Sequence, residues 1–259
     1  EETQVSQAGN LKAEVDQTEA VFVHRHLVQL ANSVGIIRTP DGNGTGFRVG
    51  PDYVMTARHV VERMLTNVSG FQHHQMQPHK RQLNSDMVYT DFSYELNSVA
   101  PNEAFVFYFE PEIVYENAYL DTVILRLKPC SRFYPPPFTN FFDVSDSPPG
   151  RGPGYFIGHS RADIKKTDRY QFVRLEPRDI IDIKNWSMEF ANNDGYLGID
   201  NEHRILFHCT FEKGASGAPG FWINPADGQA RLELMLLCGY PIWFYETYQG
   251  QRSGIPKSY

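Results

Sequence analysis

Residues 211–221, FEKGASGAPGF, place a single serine, Ser216, inside a run of glycine and alanine. Small residues grouped in this way usually mark an ordinary loop. A serine that attacks a carbonyl carbon needs the same composition, because small neighbours let the carbonyl approach and leave backbone N–H groups to bind the oxyanion. The string alone does not separate the two interpretations. The rest of the chain must therefore supply the partners that a nucleophilic serine requires.

The first partner is an imidazole, because a serine hydroxyl is a weak nucleophile near neutral pH unless a base takes its proton. Among the nine histidines, His59 stands out in the stretch GTGFRVGPDYVMTARHVV at 44–61. There two β-type runs, GFRV and YVMTA, flank a Gly-Pro-Asp turn. The pattern predicts that His59 lies where a strand gives way to a loop. Taken alone, such a histidine is more often structural.

The second partner is a carboxylate that orients the imidazole. Asp121 lies in ENAYLDTVILRLKP at 116–129, immediately before the apolar run TVILRL. An unpaired charge at the edge of a buried strand is costly, although an aspartate can also cap the entry to a strand. The chain order His59, Asp121, Ser216 is one in which these three groups recur at catalytic centres. The joint pattern therefore indicates a Ser-His-Asp triad.

The three stretches TARHV, LDTVILRL and GASGAP resemble the TAAHC, DIALL and GDSGGP motifs of chymotrypsin-like (trypsin-like) serine proteases. The resemblance covers most of residues 31–240. It implies an all-β fold of two packed six-stranded antiparallel β-barrels. It also implies that His59 is the general base, Asp121 its orienting acid and Ser216 the nucleophile, with the N–H groups of Gly214 and Ser216 forming the oxyanion hole. Peptide bonds of protein or peptide substrates would be hydrolysed through an acyl-enzyme, with no metal or organic cofactor.

Departures from the motifs indicate the branch of the family. Ala215 stands where secreted members carry an aspartate that pairs with a newly released N-terminus, so activation by zymogen cleavage is not expected. Arg58 and Val60 flank His59, and the disulfide that pins the histidine loop of secreted members cannot form. These features resemble the intracellular or HtrA-like branch and vertebrate nuclear trypsin-like proteases.

The resemblance also carries an expectation about specificity. Thr210, six residues before the serine, corresponds to the base of the primary pocket, where trypsin-like demand for Lys or Arg needs an acid. Gly239 corresponds to a small residue on the pocket wall. We therefore expect cleavage after aromatic or bulky apolar residues. A second function stays open, in which the fold is a catalytically silent or partner-gated scaffold that binds peptides.

Composition agrees with many short strands joined by turns, because the 259 residues include 20 glycines and 17 prolines at 41% hydrophobic content. The net charge of −7 argues against a nucleic-acid partner. No apolar run has the length of a membrane helix, so no membrane partner is expected. Cys130, Cys209 and Cys238 are too few for a disulfide framework and favour an intracellular, reducing compartment.

Helical spacing predicts one helix near 18–31, within an N-terminal extension over residues 1–32. This helix either docks on the first barrel or joins the chain to an upstream regulatory module. Such a module, or self-association, would replace the missing zymogen switch. The expected order then continues with a first barrel at 33–133, a proline-rich crossover at 134–154, and a second barrel with a tail at 155–259.

Three further motifs have simple interpretations. The histidine-rich stretch at 71–87 invites a metal site, but its polar loop composition lacks ligands on fixed elements, so a solvated insertion is expected. The GNGTG string at 42–46 fails the dinucleotide pattern and is interpreted as a hairpin turn. Ser160 lies at the end of a predicted strand and is not expected to be a nucleophile.

Overall fold

The computed structural model describes residues 21–65, 83–96, 102–138, 154–172, 177–178, 180–181, 184–185, 201–205, 207–224 and 229–238. Within these ranges the regular structure is mostly β, with helices α1 (Val21–Ala31) and α2 (Arg58–Leu65). The predicted all-β class with a short N-terminal helix is therefore confirmed. Neither helix has the length and apolarity to cross a membrane.

The first β unit is a closed antiparallel barrel. Its strands are β1 (Val34–Thr39), β2 (Gly42–Arg48), β3 (Tyr53–Ala57), β4 (Tyr89–Asp91), β5 (Val106–Asn117) and β6 (Thr122–Leu127), in the order β1-β2-β3-β6-β5-β4. Alternate residues of β6, namely Val123, Leu125 and Leu127, are fully buried, as the period of a half-buried strand requires. Closure leaves no sheet edge unpaired. The first predicted six-stranded barrel is thus confirmed.

The second β unit contains five described strands. They are β7 (Gly154–Gly158), β8 (Lys166–Phe172), β9 (Phe207–His208), β10 (Pro219–Ile223) and β11 (Ala230–Met235), in the order β11-β10-β7-β8-β9. Every strand pair is antiparallel. Closure into a second six-stranded barrel stays a prediction, because residues 239–259 lie outside the described part of the chain.

Helix α1 packs where the two β units meet. Its buried residues Val23, Leu27 and Leu30 recur at the helical spacing that puts them on one face. They belong to the same apolar cluster as Phe47 of the first barrel and Tyr155 of the second sheet. Full burial of each such side chain is worth about 1.5–3 kcal/mol. The helix therefore stabilises the junction of both units and does not pack on the first barrel alone.

Two sequence-based expectations in the first barrel were wrong in detail. His59 does not enter a loop, because β3 runs directly into α2 and places His59 in its first turn. The GNGTG string is not the hairpin turn but the body of β2, since Thr39 pairs with Gly42 and leaves Pro40 and Asp41 as the turn. Gly44 is needed there because a Cβ would lie 2.5 Å from the Val60 side chain of α2.

Two buried cations tie connecting segments to the β units. Arg48 donates to the carbonyl oxygens of Pro51 (2.7 Å), Tyr53 (3.1 Å) and Pro135 (3.1 Å), and burial lowers its pKa to about 10. Lys165 donates to the carbonyl oxygens of Ala31 and Phe92, each at 2.8 Å, and burial lowers its pKa. These bonds satisfy the donors of both buried cations with backbone carbonyl oxygens.

Candidate active site

The Asp121 carboxylate joins the start of α2 to the imidazole of His59. His59 Nδ1 lies 2.6 Å from Asp121 Oδ2, and the backbone N–H of His59 donates to Oδ1 at 3.0 Å. The N–H of Arg58 donates to the backbone oxygen of Asp121 at 2.9 Å. The first N–H groups of a helix have no intrahelical acceptor, so Asp121 satisfies two of them. With Nδ1–H donating to the carboxylate, the neutral ring keeps its lone pair on Nε2.

Backbone and charge fix this arrangement further. Asp121 has a φ of 54°, a left-handed conformation that aspartate tolerates better than most residues. The Arg58 guanidinium lies 2.6 Å from carboxylate oxygens of both Glu116 and Glu62, and these hydrogen bonds, Glu116 first, raise the pKa of Arg58. The Arg58–Glu116 ion pair connects α2 to β5, and the Arg58–Glu62 pair lies within α2. His59 nevertheless keeps an accessible ring, with 42% of its side chain exposed.

Ser216 lies in the second of two consecutive tight turns. The N–H of Ala215 donates to Glu212 O at 3.1 Å, and the N–H of Ala218 donates to Ala215 O at 2.9 Å. The third residue of each turn is a glycine with positive φ, 99° at Gly214 and 89° at Gly217. Positive φ at the third residue, without positive φ at the second residues Lys213 and Ser216, indicates type II turns and explains both glycines. Ser216 is therefore the second residue of a type II turn.

Among the described residues, two backbone N–H groups of these turns have no protein acceptor. The N–H of Gly217 donates to Leu236 O at 2.7 Å. The carbonyl oxygens of Ser216 and Gly214 accept from the N–H and the hydroxyl of Thr45, at 2.8 and 3.2 Å. Within the described part of the chain, neither the N–H of Gly214 nor that of Ser216 donates to a protein acceptor. Adjacent free donors of this kind can bind an oxyanion.

The serine turn packs against β2 and against the end of β3, the strand that leads into the helix of His59. A Cβ on Gly217 would lie 2.0 Å from Thr45 O, 2.4 Å from Thr56 Oγ1 and 3.1 Å from Ala57 N. Thr56 and Ala57 are the last residues of β3, directly before α2. Segments that are 62 and 157 residues from the histidine along the sequence thus meet at one place.

The described residues contain no hydrogen bond between the Ser216 hydroxyl and the His59 ring. The histidine–aspartate contact is formed, whereas the serine–histidine contact is not. Catalytic hydrogen bonds without substrate are often long or poorly aligned and tighten when substrate binds.

Comparison with known proteins adds the family. The model of the trypsin-like peptidase domain matches residues 44–230, which is more than half of the chain and includes His59, Asp121 and Ser216. The chain belongs to the trypsin-like peptidase domain family. Its closed antiparallel barrel and second antiparallel sheet agree with the chymotrypsin-like fold.

Individual relatives are distant. Serine protease FAM111B of Homo sapiens is 27% identical over 220 residues, covering 78% of this chain but only 28% of that protein. The chain thus spans little more than a quarter of this relative. Among solved structures, the inactive form of Rv3671c from M. tuberculosis H37Rv, as a Ser343Ala mutant, is 18% identical, covers 87% of this chain and 91% of its own, and has a TM-score of 0.45. Deg5 is 15% identical, covers 79% of this chain and 81% of its own, and has a TM-score of 0.46.

In this trypsin-like peptidase, the residue before the serine is apolar and enclosed. Ala215 is fully buried in a cluster with Phe156, Tyr170 and Leu236. A charged side chain at this position would need a buried partner. The surroundings of Ala215 therefore suit a methyl group.

Of the two predicted pocket residues, one is described. Thr210 is exposed, and its N–H, together with that of Phe211 at 3.1 Å, donates to the Asp168 carboxylate on β8. Gly239 lies outside the described residues. The sequence analysis missed Asp168, because only the pairing of β8 with β9 brings it to Thr210 and no local pattern marks it.

The sequence analysis also missed what Ser160 does. Its side chain is buried, and its Oγ accepts the N–H of Glu212 at 2.9 Å, next to the serine turn. Ser160 thus contacts the serine turn through its side chain. A residue 52 positions from Glu212 carries no sequence signal for this contact.

The described residues contain no group of three or more potential metal ligands. The histidines of the 71–87 stretch lie outside the described part of the chain. Cys130, Cys209 and Cys238 are free thiols, and burial raises the pKa of Cys209 to about 11. A thiol with so high a pKa is a poor nucleophile at neutral pH.

Proposed function

We propose that the chain hydrolyses internal peptide bonds with Ser216 as nucleophile, His59 as general base and Asp121 as the orienting acid. The observation that carries this proposal is the 2.6 Å contact between His59 Nδ1 and Asp121 Oδ2, formed at the end of the strand on which the Ser216 turn packs. This contact fixes the tautomer that a base needs, with the free lone pair at Nε2.

The chemistry follows from these positions. Ser216 Oγ attacks the peptide carbonyl carbon while its proton passes to His59 Nε2. The N–H groups of Gly214 and Ser216 bind the oxyanion, and the His59 imidazolium, stabilised by Asp121, then gives its proton to the leaving amine. Water attacks the acyl-enzyme by the same route and restores the serine. No step requires a metal ion or an organic cofactor.

Activation would not use a released N-terminus. Ala215 occupies an apolar, fully buried site, so it offers no carboxylate to such an amine. The Gly214 turn is already in its type II form, which supports a site that is set without cleavage of the chain.

We propose cleavage after aromatic or bulky apolar residues. The exposed position 210 carries a threonine and offers no carboxylate to a Lys or Arg side chain, and Oδ2 of the nearby Asp168 accepts the backbone N–H groups of Thr210 and Phe211. A fluorogenic peptide library that varies the residue before the scissile bond tests this, with Ser216→Ala as the background control. Release concentrated on aromatic and large aliphatic residues is expected. A preference for Lys or Arg would contradict it.

A gated or silent peptide-binding scaffold is the second candidate, and the missing hydrogen bond between Ser216 and His59 favours it. An upstream module or self-association would supply the gate, and the much greater length of the human relative is consistent with additional modules. The rate of peptide hydrolysis per molecule, measured over a hundredfold range of protein concentration, distinguishes a gated peptidase from a silent scaffold. A rate that rises with concentration indicates gating by self-association. If the protein binds peptide but hydrolyses none at any concentration, it is a scaffold.

A further inference from the structure

A second group of contacts, made by Ser160 and Arg161, holds the turn Glu212–Ala215 on the side away from the oxyanion site. Ser160 Oγ accepts the N–H of Glu212 at 2.9 Å. The N–H of Arg161 donates to Lys213 O at 2.6 Å. The Arg161 guanidinium also donates from Nε and Nη2 to the two carboxylate oxygens of Glu212. Two consecutive residues after β7 thus bond to two consecutive residues of the turn, Glu212 and Lys213.

The bond to Lys213 O decides where the next N–H points. The C=O of Lys213 and the N–H of Gly214 belong to one planar trans peptide, so they point in opposite directions. While Arg161 holds the carbonyl on the outer side, the N–H of Gly214 must face the opposite side. Rotation of this peptide would convert the type II turn to type I and remove the N–H from that side.

The backbone conformation of Arg161 is unfavourable for the residue itself but allows it to bond to the turn. Its φ of 56° is left-handed, which a β-carbon disfavours, and such backbone tends to persist where surrounding contacts determine it. With this backbone, both the N–H and the guanidinium of Arg161 bond to the turn. The hydrogen bond from Arg161 lowers the pKa of Glu212, and the bond from Glu212 raises the pKa of Arg161.

Among the described residues, the side chains that enclose Ala215 are apolar, so no charged side chain there holds the turn from within. We propose that Ser160, Arg161 and Glu212 are positioning residues that keep the Glu212–Ala215 turn in the form that presents the Gly214 N–H to the oxyanion. This inference rests on the proposed peptidase function and adds a device that sets the oxyanion hole without zymogen cleavage.

The test is the second-order rate at which a fluorophosphonate labels Ser216, because the phosphonyl oxygen needs the oxyanion hole and no peptide substrate has to be known. Glu212→Lys places a like charge beside Arg161. Glu112→Lys is the matched control, since Glu112 also accepts from an arginine (Arg126, 2.7 Å) and the side chains of Glu212 and Glu112 are 49% and 51% exposed. The double variant Arg161→Glu with Glu212→Arg restores the ion pair with exchanged charges and tests whether the labelling rate recovers.

We expect Glu212→Lys to slow labelling by at least about tenfold and by no more than the ~10²–10³-fold loss that follows complete removal of one oxyanion donor. Glu112→Lys should stay within about twofold of the unmutated protein, and the swap should regain most of the rate. On a peptide substrate, kcat should fall while KM stays, because the lost interaction forms only in the transition state. Equal rates for Glu212→Lys and Glu112→Lys would overturn the inference while leaving the peptidase function intact.

Ser160 gives an independent variant if Glu212→Lys folds poorly. Ser160→Ala should slow labelling with an unchanged thermal midpoint, and Ser160→Thr, which keeps the hydroxyl, should restore it. Labelling by Ser160→Ala at the unmutated rate would count against the role of Ser160. Absence of labelling in the unmutated, folded protein would instead overturn the proposed function and this inference with it.

Discussion

Replacing Gly217 by alanine should separate the serine turn from β2 and from the end of β3, which leads into the helix of His59. The added methyl would lie 2.0 Å from Thr45 O and 2.4 Å from Thr56 Oγ1, and the first of these atoms belongs to backbone that cannot move aside cheaply. The φ of 89° adds strain of about 1–2 kcal/mol for any residue with a Cβ. Overpacking adds about 1–3 kcal/mol. We therefore expect the free energy of unfolding to fall by about 2–5 kcal/mol.

Gly42→Ala is the matched control. Gly42 also has a positive φ, 153°, but a Cβ there would meet nothing within 4 Å. Denaturant unfolding of the two variants separates the cost of the backbone strain from the cost of the steric clash. The free energy of unfolding of Gly42→Ala is expected to fall by about 1 kcal/mol.

Activity should report the same collision more strongly than stability does. Relief of the clash must move the turn away from β2 and β3 by about 1 Å, and a misplacement of that size costs on the order of 10²-fold in rate. Fluorophosphonate labelling of Gly217→Ala should fall accordingly, while Gly42→Ala labels normally. Gly217→Ala that unfolds like Gly42→Ala and labels at the unmutated rate would refute the packing described for the site.

Two further predictions concern Asp121 and a buried histidine. Asp121→Asn keeps an acceptor for the His59 N–H but directs an amide N–H at Nδ1, so the ring takes the wrong tautomer; kcat should fall by about 10⁴-fold with little change in unfolding, and a loss under tenfold would speak against the triad. Burial lowers the pKa of His159 from 6.5 to about 3, so below pH 6.5 the unfolded chain takes up a proton that the folded chain does not. Stability should therefore fall as the pH drops from 6.5 towards 3, by about 2 kcal/mol at pH 5. Denaturant unfolding at pH 7 and pH 5 measures this loss of stability, and His159→Asn should lose about 2 kcal/mol less between the two pH values than the unmutated protein. The same pH dependence in both proteins would contradict the prediction.

The sequence predicted well what depends on short patterns. The runs YVMTA and TVILRL became β3 and β6, because residues alternate between the core and the surface. Helix α1 was predicted from helical spacing, and residues 21–31 of the predicted segment are described. Helix α2 was missed although Val61 and Met64, three residues apart, are both buried. The helix has only eight residues and directly follows the strand run YVMTA, so its few apolar positions do not establish a helical period.

What the sequence could not predict depends on contacts between distant segments. The bonds from Ser160 and Arg161 to the serine turn require β7 to pair with β10, with Phe156 opposite Gly220. That register places the end of β7 beside a turn about 50 residues further along the chain. The approach of Asp168 to Thr210 likewise depends on the pairing of β8 with β9. No local composition marks these contacts, so the candidate triad was predictable and its support was not.

The most direct test of the account is the site of fluorophosphonate labelling, determined by mass spectrometry in the unmutated protein, Ser216→Ala and His59→Ala. The account predicts a single adduct on Ser216 in the unmutated protein and no adduct in either variant, since both the nucleophile and its base are needed. An adduct on another residue, or labelling that survives in His59→Ala, would contradict the proposed catalytic centre.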